Sequence, residues 1–275
     1  QLSVRNKCFY VTCNGKNKLI SPHRVTSLLV TRNCDLSSAS LVLAVEHSIP
    51  VLIVEASGKI SACVRPAISE GLATLRRNQV HFAGEPIITQ WMIHNFQLKH
   101  QGQVSNLVML AHRRPAMAEI VHNAISKMDG LSEKWNKYAP ISLNKCASQL
   151  MGTEGMIARI YWQTISDLLP EAYQFKGRSR RPAKDHFNAA LNYCYGMLHG
   201  VTENAIHAVG LDPLFGFLHR DDYRLPALSF DMMEPARPWA DRLVIQACAT
   251  SSLPASFFEI HENGFWLSRE GRLWL

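Results

Sequence analysis

The chain has 275 residues, of which 47% are hydrophobic and 19% charged, and its formal net charge is +7 at pH 7. This composition excludes a disordered chain and leaves room for one large domain or two modest ones. The longest apolar stretch, residues 41–56, is interrupted by Glu46, His47 and Pro50, so we expect no membrane span. The positive charge suits an anionic partner, either nucleic acid or an acidic membrane surface, although many globular proteins carry such a charge without that role.

The seven cysteines show no CxxC pair and no regular spacing, which predicts neither a zinc ribbon nor a disulfide framework. Reduced thiols are the simpler interpretation, and we expect a cytoplasmic protein. The chain opens with Gln1 rather than methionine, which leaves open that the sequence is a piece of a longer polypeptide.

The first seventy residues read as short strands around one helix. The segments CFYVTC, SLLVT and PVLIVEASG have the β-branched character of strands. Between them, SSASLVLAVEHS has the spacing of a helix that packs on the strands, with Ser37 or Ser38 as its N-cap. We therefore predict a small β-rich N-terminal domain over residues 1–70.

From about residue 72 to 250 the chain consists mainly of helix-length segments with apolar residues at 3.6-residue spacing. The tail alternates aromatic and polar residues around Asn263-Gly264 and Glu270-Gly271, which predicts a terminal pair of short strands. The predicted fold class is α+β, with a larger and mainly helical C-terminal domain over residues 71–275.

An acidic stretch stands out in this basic chain, since residues 216–238 hold His219 and four acids: Asp221, Asp222, Asp231 and Glu234. Asp231 and Glu234 are three apart, so on a helix their side chains project from one face and attract a divalent cation. The alternative is an acidic first turn that complements the helix dipole.

Two further residues are candidates for a metal site. His219 is either a core histidine or a ligand, and a nitrogen and oxygen donor set favours Mn²⁺ or Mg²⁺ over structural zinc. Glu154 lies just inside an amphipathic helix, where a glutamate near the helix start is usually a cap partner.

The segment KGRSRRPAK, residues 176–184, holds five basic side chains: Lys176, Arg178, Arg180, Arg181 and Lys184. An arginine-rich loop grips phosphate well because guanidinium binds its oxygens in pairs, although most charge runs are solvated surface. A basic loop together with acids around a cation is the arrangement expected for phosphodiester chemistry.

Three blocks in order resemble the signature of the CRISPR-associated Cas-one (Cas1) family: MGTEGMIARIYW, FKGRSRRPAKDHFNAALNYCYGML and GLDPLFGFLHRDDYRLPALSFDMMEPARPWADRLV. The resemblance implies an integrase of CRISPR adaptation with an N-terminal β-domain that forms a homodimer. It also implies assembly with a small bridging partner, the Cas-two (Cas2) protein, around double-stranded DNA. Members also occur fused to reverse transcriptase, and the missing methionine keeps that arrangement open.

The resemblance assigns catalytic and metal-binding roles to Glu154, His219, Asp231 and Glu234, with Mg²⁺ or Mn²⁺ as cofactor. It leaves open which member of the Asp231 and Glu234 pair binds the cation directly, with Glu234 slightly ahead. Its basic stretch falls on the loop at 176–184, which with Arg159 supplies the predicted DNA contacts. Asp221 and Asp222 match less constant positions, and Pro235 stands where relatives often have another acid.

The implied reaction is transesterification, in which the 3′-hydroxyl of a spacer fragment attacks a phosphodiester of the CRISPR repeat. The first alternative is hydrolysis by the same site, which makes the protein a metal-dependent, structure-selective endonuclease. The second is a non-catalytic DNA-binding scaffold whose acids form structural ion pairs.

Overall fold

The computed structural model describes residues 1–31, 33–55, 58–64, 72–219, 226–261 and 264–275. Two compact units make up this part of the chain, Gln1–Leu72 and Ala73–Leu275. The first contains most of the strands and the second is mainly helical, which confirms the predicted α+β class. Among the described residues, no helix is both long enough and apolar enough to cross a membrane.

The N-terminal unit contains two small sheets. Strands β1 (Leu2–Arg5), β2 (Cys8–Cys13) and β3 (Lys16–Ile20) form an antiparallel sheet in chain order. Asn14 and Gly15 both adopt positive φ in the two-residue turn between β2 and β3, as a tight hairpin requires. In the second sheet β5 (Val51–Val54) lies between β4 (Leu28–Thr31), to which it is parallel, and β6 (Ile60–Val64), to which it is antiparallel.

Helix α1 (Ser38–Glu46) connects the parallel strands β4 and β5. Its N-cap is Ser37, whose side chain accepts a hydrogen bond of 3.2 Å from the amide of Ser40, as one of the two predicted caps. The core of this unit consists of apolar residues from both sheets and the helix: Leu2, Phe9, Val30, Leu43, Ala44, Ile49 and Val51.

The C-terminal unit is built on three long helices that are each longer than twenty residues. Its helices are α2 (Leu72–Phe82), α3 (Pro86–Arg113), α4 (Ala118–Ser132), α5 (Leu143–Leu168), α6 (His186–Ala208), α7 (Ala227–Met233), α8 (Arg237–Ala249) and α9 (Arg269–Trp274). Short 3-10 helices lie at Pro22–Arg24 in the first unit and at Pro115–Met117, Glu133–Tyr138, Glu171–Tyr173, Glu234–Ala236 and Ala255–Phe257 in the second. Helix α3 packs against α4, α5 and α8, around a core that includes Leu107, Met128, Leu150, Ile157 and Phe187.

A hairpin of β7 (Phe258–His261) and β8 (Gly264–Leu267) packs next to the start of α6. The amide of Phe265 donates to the carbonyl of Ala183 at 3.0 Å, which joins the hairpin to the end of the basic loop. Gly264 is needed at this approach, since its φ is +136° and a Cβ there would lie 2.6 Å from Cβ of Pro182. Strands β7 and β8 are the pair expected in the tail, but the strand pattern does not continue to Glu270-Gly271, because both residues lie in α9, where the side chain of Ser268 accepts from the Gly271 amide.

Candidate active site

Three charged side chains from distant parts of the sequence meet inside the helical unit. Nζ of Lys99, on α3, lies 2.5 Å from Oε1 of Glu154 on α5 and 2.6 Å from Oε2 of Glu234. Glu234 begins the 3-10 helix between α7 and α8, and both it and Lys99 are buried. Two of the acids predicted from the sequence therefore share one ammonium group.

The position of Glu154 within its helix differs from the prediction. Helix α5 begins at Leu143, so Glu154 lies well inside it rather than near its start. Only the first turn of a helix has unpaired amides for a glutamate to cap, so Glu154 has no cap role. Leu150 and Ile157, one helical turn before and after Glu154, are buried in the core. This side of α5 therefore faces inward, and the Glu154 carboxylate reaches Lys99.

The charge of Glu234 is stabilised by two cations. Burial alone would raise the pKa of Glu234, but the positive charges of Lys99 and Arg237 outweigh this and lower it to about 2. Arg237 donates from Nε to Oε1 of Glu234 at 2.7 Å. Burial likewise disfavours the charged form of Lys99, yet the charges of Glu234 and Glu154 raise the pKa of Lys99 above its ordinary value. Glu234 and Lys99 are therefore both charged at neutral pH.

Asp231 has a different set of contacts from Glu234. It lies on α7, is fully buried and accepts hydrogen bonds from the amides of Phe217, Leu218 and His219 at 2.6, 3.0 and 3.2 Å. Its Oδ1 also lies 2.6 Å from Nδ1 of the His219 ring. A carboxylate only accepts, so the proton of this pair is on Nδ1, and in the neutral ring the lone pair is on Nε2. Asp231 thus orients His219, as carboxylates behind metal-binding histidines do.

The arrangement can be tested for its fit to a divalent cation. Within the described ranges, no three His, Cys, Asp or Glu side chains lie close enough to form a ready-made metal cage. However, Glu154 and Glu234 already share one positive charge, and the charge of His219 contributes to the lowered pKa of Glu234. Two carboxylates and an imidazole nitrogen are a donor set that Mn²⁺ and Mg²⁺ accept. The types of side chain therefore suit a divalent cation. In this structure the ammonium group of Lys99 lies between the two carboxylates.

The segment that leads to His219 is fixed by contacts on several sides. Gln79 of α2 is buried, donates to the carbonyls of Asp212 and Phe215 at 2.8 and 3.0 Å, and accepts from the Asp212 amide at 2.9 Å. A Cβ at Gly216 would lie 2.5 Å from Cβ of Ala227, so only glycine fits there. We call residues 210–219 the histidine loop. Asp221 and Asp222 lie outside the described residues.

A second group of buried polar side chains packs against Arg237. The guanidinium of Arg237 lies 4.8 Å from the ring centroid of Tyr195, whose hydroxyl donates to Asp241 at 2.6 Å. The hydroxyl of Tyr161 donates to the other oxygen of Asp241 at 3.2 Å. Burial raises the pKa of Asp241 to about 6, against the opposing effects of the Tyr195 hydrogen bond and of the charges of Lys99 and Arg237. Tyr195 therefore links this buried carboxyl group to Arg237.

The basic side chains of the loop at 176–184 are of two kinds: Arg178 is half-buried and the others are exposed. Arg178 bonds to Asn188 and, at 3.0 Å, to Asn192, and it lies 5.4 Å from the ring centroid of Trp162. Two of its five N–H donors therefore bind partners within the protein. The remaining basic side chains of the loop are exposed, as is Arg159 on α5: Lys176, Arg180, Arg181 and Lys184. Asn188 also holds the loop itself, since its side-chain Nδ2 donates to the carbonyl of Gly177 at 3.0 Å.

Lys99 and Gln79 were not found from the sequence. A signal was present for Lys99, because Lys99, Gln103 and Asn106 recur at the spacing of one helix face and are all buried. A row of buried polar side chains is costly unless each has a partner, so it marks a polar site between helices. Gln79 has no such signal, since its partners are backbone atoms of a distant loop.

Comparison with known proteins identifies the family of this chain. A sequence model of the family described as CRISPR associated protein Cas1 matches residues 1–274. The chain belongs to the Cas1 family. It is 32% identical over 250 residues to the CRISPR-associated endonuclease Cas1 1 of Thermus thermophilus, a match that covers 90% of this chain and 72% of that relative.

Two solved structures show the same fold as this Cas1 chain. One is a casposase bound to an integration product, with a TM-score of 0.76 and 21% identity, and the match covers 99% of this chain and 77% of that one. The other belongs to a Cas6-RT-Cas1–Cas2 complex, with a TM-score of 0.71, 22% identity and coverage of 99% and 30%. At this identity the likeness establishes the fold alone.

Proposed function

We propose that this Cas1 chain is a metal-dependent DNA integrase that joins the 3′-hydroxyl ends of spacer DNA to a CRISPR repeat. One observation carries the proposal: Glu154 and Glu234 converge on a single positive charge, and His219, whose ring is held by buried Asp231, is near enough for its charge to lower the pKa of Glu234. Two carboxylates that converge in this way form a site for a cation, and cations stabilise the charge that develops in phosphoryl transfer.

In this proposal Glu154, Glu234 and Nε2 of His219 hold Mg²⁺ or Mn²⁺. The cation, when bound, stabilises negative charge on the attacked phosphate and on the departing oxygen. Asp231 orients the His219 ring, and Arg237 keeps Glu234 ionised. In the reaction the incoming 3′-oxygen forms a bond to phosphorus and the bond to the repeat strand's own 3′-oxygen breaks. The attacking hydroxyl loses its proton to solvent, and the departing 3′-oxygen takes one up and becomes a hydroxyl.

The proposed partners are double-stranded DNA, a second copy of the chain and Cas2. Exposed basic side chains of the loop at 176–184, with Arg159, supply contacts to DNA phosphates. The β-rich unit, residues 1–72, forms the homodimer. A casposase bound to its integration product and a complex that contains Cas1 and Cas2, both of the same fold, support DNA and Cas2 as partners.

The test is an integration assay with labelled duplex fragments, a supercoiled plasmid that carries a CRISPR repeat, and Mg²⁺ or Mn²⁺, with and without Cas2. Fragments that end in a 3′-deoxy nucleotide serve as the substrate control, because they lack the attacking hydroxyl. His219→Ala is the site variant, and His122→Ala, an exposed histidine on α4, is its matched control. We expect joined products that require the metal, the 3′-hydroxyl and His219, but not His122.

A second candidate function is endonuclease activity, which the name of the Thermus thermophilus relative favours. Water then replaces the 3′-hydroxyl as nucleophile at the same site. Shortened DNA without joined products, formed equally from 3′-deoxy fragments, would support the endonuclease and refute the integrase. If the protein binds DNA but neither joins nor cleaves it in the presence of metal, both catalytic functions are refuted. The non-catalytic DNA-binding scaffold is then the remaining function.

A further inference from the structure

Lys99 occupies the position between the two carboxylates that are proposed to bind the cation. Its Nζ lies 2.5 Å from Glu154 and 2.6 Å from Glu234, and the residue is 8% exposed. An ammonium group has three protons to donate, and two of them are directed at these carboxylates. Lys99 thus makes the contacts that a small cation would make with Glu154 and Glu234.

The four side chains that form these ion pairs are electrically balanced among themselves. Lys99 and Arg237 carry one positive charge each, and Glu154 and Glu234 carry one negative charge each. A divalent cation added to these four groups would leave them with an excess of two positive charges, which the negative charge of the nearby Asp241 offsets only in part. Repulsion between cations is strong in such a poorly solvated place. Lys99 and a divalent cation are therefore competitors for the same oxygens.

We propose that Lys99 is a built-in counter-ion for Glu154 and Glu234, and that a divalent cation must displace its ammonium group in order to bind. This inference rests on the proposed function, because it takes the cation to be part of the site. The lysine keeps the two carboxylates together when no cation is present, since two like charges in a buried place would otherwise repel. It also lowers the affinity for the cation, because part of the binding free energy is used to break the two ion pairs.

The first experiment compares the wild-type protein with Lys99→Met, which preserves the length of the side chain and removes its charge. Mn²⁺ binding is measured by electron paramagnetic resonance, which counts free Mn²⁺, and stability is measured by thermal unfolding in EDTA. The variant should bind Mn²⁺ at least about tenfold more tightly. In EDTA its Tm should fall by about 10 °C, because the buried carboxylate of Glu234 and the half-buried carboxylate of Glu154 lose the ammonium group that they share. Lys127→Met, at an exposed position on α4, should change neither quantity.

A double variant separates the competition from a general loosening of the fold. In Lys99→Met with Glu154→Gln, one carboxylate is neutralised together with its cation. This protein should regain much of the Tm lost in EDTA, and it should lose the gain in Mn²⁺ affinity. A double variant that binds Mn²⁺ as tightly as Lys99→Met alone would contradict the proposal, since the affinity gain would not depend on Glu154.

A measurement on the wild-type protein covers the case in which Lys99→Met does not fold. The ammonium signal of Lys99 is followed by nuclear magnetic resonance in protein labelled with ¹⁵N-lysine, while Mg²⁺ is added. Displacement predicts that this signal shifts as the cation binds, whereas the signal of Lys127 stays in place.

The outcomes distinguish this inference from the proposed function. Wild-type protein that binds Mn²⁺, with equal or weaker binding in Lys99→Met, would overturn the competition and leave the metal site intact. An unshifted Lys99 signal in the metal-saturated wild-type protein would overturn it as well. If neither protein binds a divalent cation, the metal-dependent function fails and this inference fails with it.

Discussion

The separate roles of Asp231 and Glu234 lead to a prediction that the sequence alone does not make. Asp231→Asn keeps the shape of the side chain but exchanges one acceptor oxygen for an NH₂ donor. Asp231 accepts from three amides and faces the His219 ring, and the residue is fully buried. The substitution therefore removes about two hydrogen bonds to a charged acceptor, each of which contributes about 1.5–3 kcal/mol. We expect the free energy of unfolding to fall by about 4 kcal/mol.

Two assays test this account of Asp231. Thermal unfolding should show a Tm about 10 °C lower, given that about 1 kcal/mol corresponds to roughly 2–4 °C for a domain of this size. Mn²⁺ affinity should fall only about tenfold, as it does when a residue behind a metal ligand is changed. Glu234→Gln serves as the comparison and should lose Mn²⁺ binding, because it removes one of the two carboxylates that are proposed to bind the cation directly.

Either of two results would refute the reasoning about Asp231. An unchanged Tm would mean that the four contacts contribute nothing to stability. Loss of Mn²⁺ binding in a folded Asp231→Asn protein, equal to the loss in Glu234→Gln, would make Asp231 a direct ligand.

Three further changes test other parts of the site. Replacement of Arg180 and Arg181 by alanine should weaken binding to DNA of any sequence and reduce the slope of log Kd against log salt by about 2; an unchanged slope would exclude these contacts. Gln79→Ala should speed amide hydrogen exchange in the histidine loop and lower kcat without weakening DNA binding, whereas unchanged exchange would contradict its positioning role. Asp241→Asn should stabilise the protein by about 3 kcal/mol at pH 7.5 and by little below pH 4. Burial raises the pKa of Asp241 from 3.8 to about 6, so the wild-type protein loses stability as this group ionises at rising pH, and a difference that does not vary with pH would contradict this account.

Local features of the structure were predictable because their causes are local. The turn signals, the helix cap at Ser37 and the change from strand to helix periodicity depend on residues within a few positions of one another. The α+β class and the kinds of residue in the site follow from such patterns and from the family resemblance. Long helices such as α5 were recognisable by their spacing, but the start of α5 was not, which is why Glu154 was expected in its first turn.

Contacts across the fold were decided by the tertiary structure. Lys99 meets Glu154 and Glu234, which lie 55 and 135 positions away, and no periodicity links residues so distant. Asp231 and Glu234 look alike in sequence, yet one contacts the histidine loop and the other Lys99, because the helix ends between them. Arg178 resembles its basic neighbours until its partners Asn188 and Asn192 are placed beside it. The sequence determines which charges exist, and the free energy of burying them together is set only when the helices pack.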